Sequence, residues 1–133
     1  MANITQYMQK AFLDWCLLGA APTRPVANYC GLSLTAPTSV ASNEVATGSG
    51  YLRQTATFGA AATPAGSGSA SNNNAMTFGP FSSWAVISGL FLADTVSSGA
   101  GNGLWFGNLT TVRTPLIGDS LVVAIGALQI TMA

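Results

Sequence analysis

The scarcity of charge constrains this chain more than any other feature of its sequence. Of its 133 residues only eight are charged, and histidine is absent. The acids and bases are Asp14, Glu44, Asp94, Asp119, Lys10, Arg24, Arg53 and Arg113. A soluble domain usually has about a quarter charged residues and depends on them for solubility. We therefore expect much of the surface to be covered by a membrane, by copies of the chain or by a larger assembly.

Hydropathy argues against the membrane. A spanning helix needs about 20 mostly apolar residues, and every run of that length contains Gly, Asn, Thr or a charge. Lys10 lies too deep for the basic start of a secretory signal, and no apolar stretch of the required kind follows it. We expect the chain to fold in the cytosol. Zero net charge and four scattered bases form no basic patch, so we expect no nucleic-acid partner.

The first twenty residues have the pattern of an amphipathic helix. Apolar side chains recur at spacings of three and four: Ile4, Met8, Ala11, Phe12 and Trp15. Asn3 is a candidate N-cap and Gly19 a candidate stop. The stripe either packs on the chain's own core, as in most small domains, or docks on a neighbouring protein. We take Ile4, Met8, Phe12 and Trp15 as interface candidates.

From residue 21 onward the pattern is that of short β-strands. The predicted strands are 26–34, 51–58, 75–78, 84–93, 104–109, 112–116, 120–125 and 128–132. Turn signals such as Asn102-Gly103 separate them. This pattern predicts an all-β fold, an antiparallel, jelly-roll-like β-sandwich of about seven to eight strands with one N-terminal α-helix. Length predicts a single domain over 1–133, with the helix in 1–20 and the sandwich in 21–133.

Two of these segments carry specific expectations. Segment 84–93 is apolar on both faces, which predicts a central strand covered on both sides. In segment 51–58, alternation predicts two sets of side chains on opposite faces of the strand. Leu52, Ala56 and Phe58 lie on one face, and Arg53, Thr55 and Thr57 lie on the other. The low-complexity segments 59–74 and 95–103 have small side chains that bury little, so we predict exposed loops there.

The residues that usually carry catalysis are nearly missing. Without histidine no common triad or imidazole metal site can form, and a cysteine nucleophile would have no base. The four carboxylates lie far apart in sequence, so a glycosidase or peptidoglycan hydrolase is only a remote alternative. Cys16 and Cys30 are expected to be free thiols in a reducing compartment. We predict no catalytic residue, no metal site and no cofactor.

The aromatic residues leave two interpretations open. Trp84, Trp105, Phe81, Phe91 and Phe106 could form a platform for sugars or, more simply, part of a sandwich core. Trp105 and Phe106 are adjacent in a predicted strand and must therefore point to opposite faces. One of the two is consequently a candidate for a contact between subunits, and both join the interface candidates.

Five segments together resemble a known family: SGYLRQTATF at 49–58, SNNNAMTF at 71–78, WAVISGLFLAD at 84–94, GNGLWFGNLT at 101–110 and IGDSLVVAIGALQITM at 117–132. With the opening helix, they make the chain similar to the short structural proteins of tailed bacteriophages that are commonly labelled tail fibre proteins. The resemblance implies a non-enzymatic virion protein, assembled in the bacterial host cytoplasm, whose partners are other virion proteins.

Size bears on the position within such a particle. Strands of a sandwich are roughly 17–20 Å long, and the sequence has no heptad, collagen-like period or repeat that could build a shaft. We therefore expect first a surface accessory protein that decorates and cements the capsid. The alternative is a tail or tail-fibre component that contacts the host. In either position we expect a homo-oligomer, with the major capsid protein or tail proteins as partners.

Overall fold

The computed structural model describes residues 2–63, 67–83 and 85–132. The strands within them are β1 (Ala2–Ile4), β2 (Asn28–Ser33), β3 (Gln54–Ala56), β4 (Gly68–Ser71), β5 (Met76–Phe78), β6 (Ile87–Ala93), β7 (Gly103–Arg113), β8 (Leu121–Val123) and β9 (Gln129–Met132). Helix α1 (Gln6–Leu13) continues into a π-helical segment, Asp14–Leu18, and a short 3-10 helix covers Thr47–Ser49. No helix in the described residues is long and apolar enough to cross a membrane.

The strands form one large and two small antiparallel sheets. The large sheet has the order β1-β7-β6-β2-β3, and the small sheets are β4-β9 and β5-β8. This arrangement confirms the prediction of an all-β, sandwich-like fold with one N-terminal helix. Strand β6 lies at the centre of the large sheet, and all of its residues except Ser88 are buried. The central strand is therefore confirmed, while Trp84, predicted to begin it, lies outside the described residues.

The core lies between the large sheet and the small sheets. Cys30 faces Leu92 and Leu32 faces Leu90 across the β2-β6 pair. These side chains form one buried cluster with residues of the β5-β8 sheet, among them Met76, Phe78 and Val123. Ile130 of β9 packs against the same cluster. Apolar burial of this kind supplies most of the stability of a small domain.

The N-terminus differs from the prediction. Ile4 and Asn3 belong to β1, which pairs with β7, so the helix starts later and Asn3 is not its cap. Thr5 is the N-cap, and its Oγ1 accepts a hydrogen bond from the Met8 N–H at 3.3 Å. Gly19 does end the helical region, with φ +71, as predicted. The exposed edge of β7 explains the difference, because its unpaired backbone groups are satisfied by even a short added strand.

Two loop predictions met different outcomes. The segment 59–74, of which residues 64–66 lie outside the described residues, is not simply an exposed loop, because β4 lies in it and pairs with β9. Pairing needs only backbone groups, which small side chains leave accessible. Asn72 is buried, and its Nδ2 donates to the carbonyl oxygens of Asn74 at 2.7 Å and Ala124 at 2.9 Å. The predicted exposed loop at 95–103 is confirmed, because most of these residues are exposed and the segment connects β6 to β7. The predicted strand 112–116 is wrong as a separate element, since β7 runs on to Arg113.

Candidate functional site

The helix and the chain that follows it form an arm rooted at one end of the large sheet. Thr5 Oγ1 donates to the Gly103 carbonyl oxygen at 2.6 Å, and the Thr5 N–H donates to that of Leu104 at 3.2 Å. The arm therefore starts at the first residues of β7. The chain returns at Asn28, which opens β2 beside the Ala93 end of β6. We call residues 5–27 the helical arm.

The outer part of the helical arm is exposed although it is apolar. Met8 packs against the core, but every residue from Trp15 to Arg24 is exposed. Leu17 and Leu18 keep 76% and 77% of their surface accessible. From residue 13 to residue 18 the large exposed apolar residues are Leu13, Trp15, Leu17 and Leu18, which we call the arm surface. Monomeric proteins rarely leave such clusters uncovered, so the arm surface is a candidate contact site.

A second exposed apolar surface lies at the other end of β7. It comprises Val112, Leu116, Ile117 and Val122, which we call the β7 tip. Val112 and Val122 border a shallow, open depression whose lining is mostly polar and includes Arg113 and Asp119. Gly118 makes the turn with φ +89, and its N–H donates to the Phe81 carbonyl oxygen at 2.7 Å. This bond holds the tip against the body of the protein.

Glu44 and Arg53 form a buried ion pair. Arg53 donates from Nε and Nη2 to the two carboxylate oxygens of Glu44, and Tyr51 Oη donates to Glu44 Oε1 at 2.7 Å. The Arg53 guanidinium lies 5.2 Å from the centre of the Phe91 ring. The face prediction for 51–58 is wrong here, because Arg53 is buried and Leu52 is 65% exposed. Tyr51, Leu52 and Arg53 still alternate between buried and exposed, but the alternation shifts by one residue where the regular strand begins at Gln54.

The ion pair changes the titration of its members. Burial alone would raise the pKa of Glu44, but hydrogen bonds from Arg53, Tyr51 and the Gly99 N–H outweigh it and lower that pKa below its usual value. Burial, with the Glu44 contact, raises the pKa of Tyr51. Burial would lower the pKa of Arg53, but the neighbouring carboxylate of Glu44 raises it. At neutral pH the pair therefore stays charged and tightly bonded.

The same cluster holds the loop 95–103 in place. Arg53 Nη1 donates to the carbonyl oxygens of Thr95 at 2.8 Å and Ala100 at 3.1 Å, and the Gly99 N–H donates to Glu44 Oε2 at 2.9 Å. Every polar atom of the buried side chains in the described residues has a hydrogen-bond partner. The arrangement is that of a structural clamp, with its donors and acceptors directed at the chain itself.

The structure places the six interface candidates in different environments. Ile4 is half-buried opposite Trp105, and Trp105 packs against the core, as does Met8. Phe12 is half-buried, as is Phe106, which pairs with Phe91 and lines a cleft of about 910 Å³. Trp15 is the candidate that belongs to the arm surface. Whether any of the six contacts a partner stays a prediction.

Sequence reasoning missed most of the two exposed surfaces. Leu18 lies three residues after Trp15 and continues the amphipathic stripe, whereas Leu13 and Leu17 fall off it and extend the apolar surface to the opposite side of the helix. An apolar residue on the expected polar face was the available signal. Leu116 ends the predicted strand 112–116 and Ile117 follows it, and the exposure of these two side chains leaves no periodic pattern in the sequence.

The two cysteines are both free thiols, as predicted. Cys16 is exposed within the helical arm, between Trp15 and Leu17. Cys30 is buried in the core, and this burial raises the pKa of its thiol to about 12. The two thiols therefore differ sharply in accessibility and in reactivity at neutral pH.

Comparison with known proteins gives the family. Residues 3–131 match the model of a family described as Podophage GP4 fiber I protein gp80. The chain belongs to this family. It is therefore a structural protein of a bacteriophage particle with a tail-fibre role, and the resemblance carried by its five segments is confirmed. No curated protein matches the chain.

Proposed function

We propose that the chain is a non-enzymatic subunit of the fibre of a short-tailed phage, and that its helical arm attaches it to a neighbouring protein of the virion. The observation that carries this proposal is the exposure of the arm surface. Four large apolar side chains stand at the end of an arm that the rest of the fold does not cover. In an assembled particle, a neighbouring protein can remove them from water.

The energy available from this contact is sufficient for stable attachment. Burying one such side chain contributes roughly 1.5–3 kcal/mol. The arm surface has four, and each factor of ten in affinity corresponds to about 1.4 kcal/mol. Part of the gain is offset by the loss of rigid-body freedom on binding. The arm loses less conformational freedom on binding, because the bonds of Thr5 to Gly103 and Leu104 already fix where the helix begins.

The family description supports a position in the fibre over one on the capsid surface. Size alone favours capsid decoration, and this position stays a prediction that stoichiometry can test. A protein that covers a shell is present in roughly hundreds of copies, whereas a tail carries far fewer, because shell and tail have different symmetries. Quantitative mass spectrometry of purified particles separates the two positions.

Attachment is tested with particles assembled without this protein. Purified wild-type chain and the double variant Leu17→Ser, Leu18→Ser are each added, and bound protein is measured by co-sedimentation. We expect the variant to keep the wild-type circular dichroism spectrum and to bind at least tenfold more weakly. Substitution is preferable to deletion of residues 1–19, because deletion would also remove β1 and the bonds of Thr5.

A matched control is the double variant Leu52→Ser, Val96→Ser, since both residues are large, apolar and exposed but lie outside the helical arm. This control should bind as the wild type does. Full binding by the arm variant would contradict the proposal. Equal loss by the control would also contradict it, because the effect would then reflect surface hydrophobicity in general.

A further inference from the structure

We propose that the buried pair of Glu44 and Arg53 positions the helical arm. The pair joins two segments that form the walls of a cleft, and the root of the arm is bonded to both walls. The inference rests on the proposed function, because it concerns the same arm. It goes further by identifying two residues outside the arm surface that control how the arm is held.

The cleft of about 910 Å³ that Phe106 lines has walls from two distant parts of the chain. The first wall is the segment 38–47, which follows β2, and the second is the loop 95–103, of which residues 98–103 line the cleft. The Val45 N–H donates to the Leu32 carbonyl oxygen at 3.1 Å, so the first wall is bonded to β2. Because the walls belong to different connections of the fold, bonds between them must set their spacing.

The ion pair supplies such bonds. Glu44 belongs to the first wall, and its Oε2 accepts from the Gly99 N–H of the second wall at 2.9 Å. Arg53, held by the Glu44 carboxylate, donates from Nη1 to the carbonyl oxygens of Thr95 and Ala100 in the second wall at 2.8 and 3.1 Å. A buried pair with satisfied hydrogen bonds is costly to open, so the spacing of the walls is fixed at this end of the cleft.

The root of the helical arm is bonded to the same two walls. Thr5 Oγ1 donates to the carbonyl oxygen of Gly103, where the second wall ends, at 2.6 Å. The Gln6 N–H donates to the carbonyl oxygen of Ser39, in the first wall, at 3.0 Å. Because Thr5 and Gln6 are adjacent, both bonds form only while the walls keep this spacing. The hydrogen-bonded groups from Arg53 to Thr5 therefore couple the pair to the arm.

A fixed root matters for the proposed attachment. Thr5 also caps helix α1 by accepting from the Met8 N–H, so its bond to Gly103 fixes where the helix starts. The arm surface is then presented in one position, and less conformational freedom is left to lose on binding. If the walls separate, Thr5 and Gln6 cannot keep both bonds, and the arm becomes mobile at its root.

The test is amide hydrogen exchange of the free, full-length chain carrying Arg53→Lys. Lysine keeps a positive charge beside Glu44, but its single ammonium lacks the planar fork that bonds the carboxylate and two carbonyl oxygens together. We expect peptides that cover residues 5–13 to exchange roughly tenfold faster than in wild type, through local opening of the root, while peptides of β2 and β6 keep their rates. Circular dichroism shows that the variant is folded.

Two further variants make the result specific. Leu90→Ala is the matched control, because Leu90 is buried in the core and does not line the cleft, so the arm root should exchange as in wild type. Gly101→Ala leaves the pair unchanged but displaces the second wall, since Gly101 has φ +77 and a Cβ there would collide with Asp94 and Thr95. It should accelerate exchange of the root as Arg53→Lys does, and it decides the question if Arg53→Lys does not fold. Wild-type rates at the root in these two wall variants, or equal acceleration by Leu90→Ala, would overturn the proposal.

The outcome is separable from that of the proposed function, because hydrogen exchange of the free protein does not depend on any partner. If the root exchanges at the wild-type rate in Arg53→Lys while Leu17→Ser, Leu18→Ser fails to bind particles, attachment by the arm stands and positioning by the pair is wrong. If the root exchanges faster but Leu17→Ser, Leu18→Ser binds fully, positioning stands and the proposed attachment is wrong. If both are correct, Arg53→Lys should bind particles severalfold more weakly although its arm surface is unchanged.

Discussion

The carboxylate of Glu44 and the guanidinium of Arg53 form a buried bidentate pair, with Nε 2.8 Å from Oε1 and Nη2 2.8 Å from Oε2. The two side chains are only 8% and 4% exposed. The pair joins residues nine positions apart, and Arg53 also bonds the carbonyl oxygens of Thr95 and Ala100 in the loop that follows β6. One of the few acids and one of the few bases of the chain are therefore used inside the protein.

Removal of the carboxylate should destabilise the fold strongly. Glu44→Gln leaves the Arg53 charge buried without its partner, so we expect the free energy of unfolding to fall by about 3–5 kcal/mol. Chemical denaturation measures this change. Lys10→Gln is the control, because it breaks the exposed pair with Asp14 and should change stability by about 1 kcal/mol or less. A loss below about 1 kcal/mol for Glu44→Gln would show that the pair is not important for stability.

The lowered pKa of Glu44 predicts a stability that depends on acid. As pH falls below about 4.3, the usual value for Glu, the unfolded chain binds a proton at this residue before the folded chain does. Stability contributed by the pair is therefore complete above that pH and is lost as pH falls toward the folded pKa. The midpoint of thermal unfolding should decline in this acid range more steeply for wild type than for Glu44→Gln. Parallel declines would contradict this assignment.

The parts of the fold that sequence predicted are those with a local pattern. Strand β6 is apolar at nearly every position, and only a central strand accommodates that. Gly19 ends the helical region because a left-handed residue is needed there. Both features depend on neighbours in sequence, so the local sequence pattern is sufficient to predict them.

The features that were missed depend on residues far apart in sequence. Arg53 looks like a surface residue until Glu44 and the loop after β6 surround it. Strands β1 and β4 have no hydrophobic pattern, and they exist because β7 and β9 offer free backbone groups. The sequence also does not predict the exposure of the arm surface, because an amphipathic stripe does not show how far a helix extends beyond the core.

The central strand can be probed by one truncation. Leu90 is buried opposite Leu32, so Leu90→Ala should reduce the free energy of unfolding by about 2–5 kcal/mol through lost contacts and the cavity left behind. Val96→Ala, at an exposed site, should change it by no more than about 0.5 kcal/mol. Thermal melting of the three proteins decides. Similar midpoints for Leu90→Ala and wild type would contradict the position of this core.

Asn72 should be essential to the segment that was predicted as a loop. Its side chain bonds the carbonyl oxygens of Asn74 and Ala124 and accepts from the Leu128 N–H at 2.9 Å. Asn72→Ala removes all three bonds from a buried site, and each unsatisfied group left there costs about 1–3 kcal/mol. Asn108→Ala is the control, because Asn108 is exposed. Equal denaturation midpoints for the two variants would argue that the segment does not support the fold.

The most direct test of attachment by the helical arm is the reactivity of Cys16, which lies between Trp15 and Leu17. In the free protein Cys16 should react quickly with a maleimide, while the buried Cys30 should react only after unfolding. If a partner covers the arm surface in purified particles, as proposed, labelling of Cys16, followed by mass spectrometry of its peptide, should be at least tenfold slower there. Equal rates for the free protein and the particle would contradict attachment through the arm.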